Sequence, residues 1–263
     1  MDLKDKVAIV TGSGGGGQGR ALARHLARLG ARIVVSDIDI EGAECTRDQI
    51  AADGGSSIVV PANVEIEDDV IKLVNAAIDA FGGIDVLVNS AGPYYPGEAL
   101  PRWRSTIAAN LMGAIYGTMH VIEPMRKRGG GAIIYYGSTS AIGHGRKHSG
   151  DAFYDVAKAA VTRMATGLSY MLENYGIRTN CIAPDWVATD EVQEYWQTLT
   201  PAERARDGIP DALTSLDDIS RVVTRLITDE DLSGRVVVWW SEERPGIIPR
   251  GDSGYGVLEP FEF

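Results

Sequence analysis

Cysteine is almost missing from this chain. Cys45 and Cys181 are its only two, too few for a disulfide framework, and they read as lone reduced thiols of a cytoplasmic protein. Long apolar runs are missing as well. After the polar stretch from Met1 to Lys6 the first apolar run is only Val7 to Val10, too short for the core of a secretory signal, and no stretch approaches the roughly 20 apolar residues of a membrane helix. Positive charge is scarce: 25 Lys and Arg against 36 Asp and Glu leave a net charge of −11. Nucleic acid and anionic membrane surfaces are therefore poor partners. No Pro/Ser-rich linker or block of like charge divides the 263 residues. The sequence reads as a single domain over 1–240, followed by an irregular, aromatic-bearing extension over 241–263.

What is present is a repeating alternation of strand and helix. Residues 7–11 are short, apolar and β-branched, the pattern of a buried strand. The run Gly12-Ser13-Gly14-Gly15-Gly16-Gly17-Gln18-Gly19 follows, and then a helix with Ala21, Leu22, Leu26 and Leu29 at helical spacing and Gly30 as its stop. Strand, glycine loop and helix N-terminus form an anion site, because free backbone N–H groups and the positive end of the dipole can face a pyrophosphate. The second strand, 32–36, ends at Asp37. An acidic residue there can accept hydrogen bonds from both adenosine ribose hydroxyls and repels a 2′-phosphate. No basic residue inside the glycine loop or just after Asp37 rewards that phosphate, so the pattern favours NAD over NADP. Helices over 41–52, 67–81, 111–128, 153–174 and 216–228 alternate with strands over 57–60, 85–88, 132–136, 177–182 and 235–239. Repeated βα units of this length predict an α/β fold: a Rossmann-type doubly wound parallel sheet of about seven strands, with helices on both faces.

Tyr154 and Lys158 stand four residues apart, on one face of a helix. A phenol is a poor base at neutral pH, since it titrates near ~10. An ammonium ~4 Å away at an effective dielectric of ~20 is worth ~4 kcal/mol, about three pKa units, and would bring the hydroxyl within reach of proton transfer. The spacing alone also suits one buried tyrosine and one solvated lysine.

In order, these pieces resemble the short-chain dehydrogenase/reductase family. The resemblance rests on the loop from Thr11 to Gly19, Asp37, Asn89-Ser90-Ala91-Gly92 for the family's N-N-A-G, Asn110, Ser138, Tyr154, Lys158, and Pro184 through Thr189, across about residues 5–240. It implies an NAD-dependent alcohol dehydrogenase or ketone reductase. Tyr154 would exchange a proton with the substrate oxygen, and Ser138 would orient that oxygen. Lys158 would lower the tyrosine pKa and bind the nicotinamide ribose. Asn110 would open its helix locally and hold a water linked to Lys158. The cofactor side would be Gly12, Gly17, Gln18, Gly19, Asp37, Asn63, Val64, Asn89, Ala91 and Gly92, with Tyr154 and Lys158. Pro184, the backbone of Val187 and the hydroxyl of Thr189 would hold the carboxamide. A homotetramer built on the helices at 111–128 and 153–174 is implied as well. The chain departs from the family in three places. The glycine loop carries one residue more than T-G-x-x-x-G-x-G. Asp185 stands where glycine is usual. The loop before Tyr154 is a few residues longer, which makes Ser140 a rival to Ser138.

That longer loop holds His144, Arg146, Lys147 and His148 among glycines, with no third ligand evident, and no metal site is expected. Tyr94, Tyr95, Trp186, Tyr195 and Trp196, with Asp151, Asp185, Asp190 and Glu191, fall near the predicted mouth. They point to a neutral small-molecule substrate, an apolar or cyclic secondary alcohol or ketone, ahead of carboxylates and acyl-CoA thioesters. Residues 190–210 read as a lid. The extension, with Tyr255, Phe261 and Phe263, is expected to pack on a neighbouring subunit or border the cleft. A sensor or scaffold that binds NAD without chemistry is the alternative; such a protein is expected to lose the tyrosine, lysine or serine, and all three are present.

Overall fold

The computed structural model describes residues 1–94, 100–142 and 151–251. Its strands are β1 (Val7–Thr11), β2 (Arg32–Ser36), β3 (Ser56–Val59), β4 (Val86–Asn89), β5 (Gly131–Tyr136), β6 (Ile177–Pro184), β7 (Arg235–Trp239) and β8 (Gly246–Ile247). They form one sheet in the order β3-β2-β1-β4-β5-β6-β7-β8, parallel except for β8. The order reverses between β1 and β4, and this opens a crevice at the C-terminal ends of those strands, the usual ligand position in open α/β sheets.

The helices are α1 (Gln18–Arg28), α2 (Ile40–Ala52), α3 (Glu67–Phe81), α4 (Trp103–Ile107), α5 (Gly113–Lys127), α6 (Ala152–Gly167), α7 (Met171–Tyr175), α8 (Asp190–Thr198), α9 (Pro201–Asp207) and α10 (Leu216–Thr228). Strand β1 shows why both faces of the sheet are covered. Ala8 and Val10 join the apolar cluster with Leu22 and Leu26 of α1 and Val223 and Ile227 of α10. Val7 and Ile9 point the other way, to Leu73 and Val74 of α3, Val121 and Met125 of α5, and Val161 and Ala165 of α6. Alternate residues feed opposite cores, so the strand reads as an unbroken apolar run.

Three features differ from the sequence-based expectation. The helix expected over 153–174 is two, α6 and α7, divided next to Gly167 and Ser169, both weak helix formers. The stretch after β7 turns back, and Val237 and Val238 pair with Ile247 and Gly246, which gives the sheet an antiparallel edge. Asp185 needs no left-handed backbone: among the described residues Asp5 is the only non-glycine with positive φ. Tyr95, His144, Arg146, Lys147, His148, Tyr255, Phe261 and Phe263 lie outside the described residues.

Candidate active site

Helix α6 is started by Asp151, whose buried carboxylate accepts from the N–H groups of Phe153 (2.9 Å) and Tyr154 (3.1 Å). This cap puts Tyr154 in the first turn and Lys158 one turn on. Lys158 is buried, and its Nζ donates to the Tyr136 carbonyl at the end of β5 (3.0 Å). The same nitrogen is 5.3 Å from the centroid of the Tyr154 ring. Two residues past that carbonyl, Ser138 stands beside the Tyr154 hydroxyl and pulls its pKa down. Its Oγ also accepts from the Ser140 hydroxyl (2.9 Å) and the Ser140 N–H (3.2 Å). Ser138 thus meets the phenol, while Ser140 buttresses Ser138. Tyr94 packs edge-on against Tyr154, with ring centroids 5.3 Å apart.

Asn110 lies within a π-helical turn, Ala108–Met112, just before α5. Its Nδ2 donates to the carbonyls of Pro93 and Thr106, both at 3.1 Å. Its buried Oδ1 has no partner among the described residues. A Cβ on Gly92 would overlap that Oδ1 and lie 3.2 Å from Lys158 Nζ. Asn110 and Lys158 therefore converge on Gly92, and only glycine fits between them.

The electrostatics of the pair depart from the sequence-based reading. Burial is the largest influence on the Tyr154 hydroxyl and pushes its pKa up; Ser138 pulls it down, and Asp155, Tyr94 and Asp151 add to the rise. Lys158 is pulled down to about 8, also by burial. Helical spacing set the two side chains on one face, but it could not show that both would lose their water.

At the other end of the crevice, Gly12 has φ +68°, and a Cβ there would stand 2.7 Å from Ala91 Cα. A Cβ on Gly19 would overlap the Gly12 carbonyl oxygen. The Thr11 hydroxyl accepts from the N–H groups of Ser90 and Ala91, both at 3.2 Å, and so ties the glycine loop to the segment after β4. Asp37 lies beside the loop: its carboxylate accepts from Gly14 N–H (2.7 Å) and Asp39 N–H (3.0 Å). Helix α1 begins after Gly17 with no side-chain cap, which leaves first-turn N–H groups for a ligand.

The remaining expected positions are spread around this crevice. Val64 packs on Gly113, and the Asn63 side chain accepts from Glu65 N–H (3.0 Å). Asn89 is buried at the end of β4. Pro184 ends β6, Val187 is buried, and Thr189 caps α8. The start of α8 comes down on the glycine loop, with Thr189 Cγ2 3.5 Å from a Cβ placed on Gly17.

Sequence reasoning missed Arg20. Its guanidinium donates to the carbonyls of Gly14 and Gly42, and its Nε to Thr46 Oγ1 (2.9 Å). It staples the lengthened loop to α2. The signal was a basic residue directly after Gly19. The glycine cradle, Asp37 and the open end of α1 fit a dinucleotide, with its pyrophosphate at the loop and its other end near Tyr154.

A sequence profile described as short chain dehydrogenase matches residues 6–200. This chain belongs to the short-chain dehydrogenase family. The dehydrogenase is 38% identical over 239 residues to an L-rhamnose 1-dehydrogenase (NAD(P)+) of Azotobacter vinelandii, covering 87% of this chain and 92% of that one. It is 30% identical over 235 residues to a cyclohexanol dehydrogenase of Acinetobacter sp. strain SE19, covering 87% and 90%. Among solved structures it superposes on a 7α-hydroxysteroid dehydrogenase complexed with NADH and 7-oxo glycochenodeoxycholic acid, with TM-score 0.80, 28% identity, and 91% and 94% of the two chains covered. Membership makes this short-chain dehydrogenase an oxidoreductase of a nicotinamide-using family. No described helix is long and apolar enough to cross a membrane.

Proposed function

We propose that this protein transfers a hydride between NAD(H) and a neutral secondary alcohol or ketone, apolar or cyclic, with Ser138, Tyr154, Lys158 and Asn110 handling the proton. The observation that carries the reading is the convergence at the end of β5: Lys158, bonded to the Tyr136 carbonyl, lies against the Tyr154 ring and meets Asn110 at Gly92. A bound nicotinamide supplies the hydride acceptor or donor. In alcohol oxidation Tyr154 takes the hydroxyl proton, Ser138 holds the substrate oxygen, and Lys158 with Asn110 Oδ1 passes the proton toward solvent through water. Asp37 supports NAD as the dinucleotide, because both of its oxygens keep lone pairs for the ribose hydroxyls and its charge opposes a 2′-phosphate.

The substrate class is supported by the rings at the mouth. Trp186 and Tyr195 are stacked at 6.2 Å, and Tyr94 stands against Tyr154. The acidic residues near Tyr94 and Tyr154, Asp151 and Asp155, disfavour anions. Cyclohexanol and L-rhamnose, named for two relatives, are both neutral. Met119 on α5 and Val156 on α6, each 57% exposed, support assembly through those helices into a homotetramer.

The test is an absorbance screen at the NADH band over neutral cyclic alcohols and ketones, acyl-CoA thioesters and carboxylates, with NAD and NADP in parallel. The expected result is the best kcat/KM for a neutral alcohol with NAD, and a fall of about 10³-fold in kcat for Tyr154→Phe with NADH binding retained. An acyl-CoA ester as best substrate, a preference for NADP, or full turnover by Tyr154→Phe would overturn it.

A further inference from the structure

Two residues next to the site have no part in the proton handling. Asp185 stands at the loop after β6, where its N–H donates to the Trp239 carbonyl at the end of β7 (2.9 Å). Its carboxylate accepts from the Thr139 hydroxyl (3.0 Å), on the residue after Ser138, and at longer range from Ser241 N–H (3.5 Å). Ser241 then closes on Trp186. The Trp186 N–H donates to Ser241 Oγ (3.0 Å), and the Ser241 hydroxyl donates to the Trp186 carbonyl (3.1 Å). That carbonyl also accepts from Thr214 N–H (2.8 Å), so Ser241 matters most to the Trp186 N–H.

The segment that supplies Ser241 is itself anchored. Trp239 Nε1 donates to the Glu243 carbonyl (2.9 Å), Glu242 accepts from Asp211 N–H (2.7 Å), and β8 pairs with β7. Trp186 stacks on Tyr195 of α8 with an interplanar angle of 17°. A line of bonds thus runs from the turn holding Ser138, through Asp185 and Ser241, to the backbone of Trp186, whose ring stacks on Tyr195. A hydroxyl suits this joint because it donates and accepts at once.

We propose that Asp185 and Ser241 are positioning residues, a clasp supplied by the segment beyond β7 that fixes Trp186 as a wall of the substrate pocket and steadies the Ser138 turn. The inference rests on the reading of Ser138 and Tyr154 given above. It assigns the chain past β7 to the substrate side and leaves the glycine loop and Asp37 independent of it.

The test compares the full-length protein with Ser241→Ala and Ser241→Thr. Amide hydrogen exchange is followed over 184–192, and NAD-linked oxidation of cyclohexanol is measured with each reactant varied. In Ser241→Ala the Trp186 amide should exchange about tenfold faster, because its acceptor is gone. The KM for cyclohexanol should rise about threefold or more, with the KM for NAD within about twofold and the melting temperature within about 3 °C. Ser241→Thr should restore both readouts. Unchanged exchange in Ser241→Ala overturns the clasp, as does an equal rise in both KM values, which marks a purely structural role. If the unmodified protein turns over no neutral alcohol or ketone of the screen with NAD, the proposed function fails, and exchange at Trp186 alone decides the clasp.

Discussion

Lys158 carries a penalty that the chain accepts for the sake of its site. It is 5% exposed, and burial holds its pKa at about 8 against 10.5 for a free lysine. Between those values the folded protein binds fewer protons than the unfolded chain, so stability rises with pH across the window and the full penalty applies below it. The gap corresponds to a penalty on the order of 3 kcal/mol. Tyr154 has the opposite sign: its raised pKa removes stability only above about pH 10, where the unfolded phenol ionises. The clean window is therefore about pH 8 to 10. Lys158→Met should be more stable than the unmodified protein at pH 7 by about 1–3 kcal/mol, and the difference should shrink toward pH 10 in urea unfolding curves. A constant difference across that range would refute the burial account. The four-residue spacing of Tyr154 and Lys158 was legible in the sequence. Their desolvation was not, because it comes from β5, α4 and the Pro93 segment closing around them.

At the scale of elements, the strands were legible wherever an apolar run was fed by both cores, as in β1. The π-helical turn before α5 was not legible from local pattern. The Asn110 side chain donates to Thr106, the carbonyl its own N–H would take in an α-helix, and to Pro93 from another segment. The widened turn depends on that second partner. The glycine loop is the reverse case: its composition announced a phosphate site, but only packing shows which glycines cannot change. Gly19 faces the Gly12 carbonyl, which is backbone and cannot swing aside. Gly19→Ala should weaken NADH binding by tenfold or more, and cost about 1–3 kcal/mol of stability through overpacking. Fluorescence titration with NADH and thermal melting measure the two effects. Gly15, with open space around it, is the internal control, and Gly15→Ala should bind NADH within about threefold of the unmodified protein.

Over the whole molecule the two edges of the sheet divide the work. The C-terminal edge holds the crevice. At the N-terminal edge, Asp85 accepts from Arg128 Nε (3.1 Å) and Nη2 (3.0 Å), Lys6 Nζ (3.3 Å) and Val7 N–H (2.9 Å), joining β1, the residue before β4 and the end of α5. Burial works to raise the Asp85 pKa, but the Val7 N–H, Arg128 and Lys6 together outweigh it and hold the carboxylate below its usual value. Its stabilisation is present above about pH 4 and is lost as pH falls through the lowered pKa. Asp85→Asn should cost about 2–4 kcal/mol at pH 7, the lower part of the range for breaking a buried pair, because Arg128 and Lys6 are each about a third exposed. The gap should narrow in acid, as read from denaturation at pH 7 and pH 3, with the basal chemistry unaffected.

The sequence by itself determined the alternation of elements, the family, the glycine loop with Asp37 and the Tyr154–Lys158 spacing. Each of these is local, set by apolar period, by turn residues or by a helical repeat. Only the tertiary structure decided that Ser140 is bonded to Ser138, that Arg20 holds the lengthened loop, that the chain past β7 returns to Trp186, and that burial dominates the phenol and the ammonium. Those outcomes join residues far apart in the chain. Their partners and the water they lose depend on packing that no short window of sequence contains.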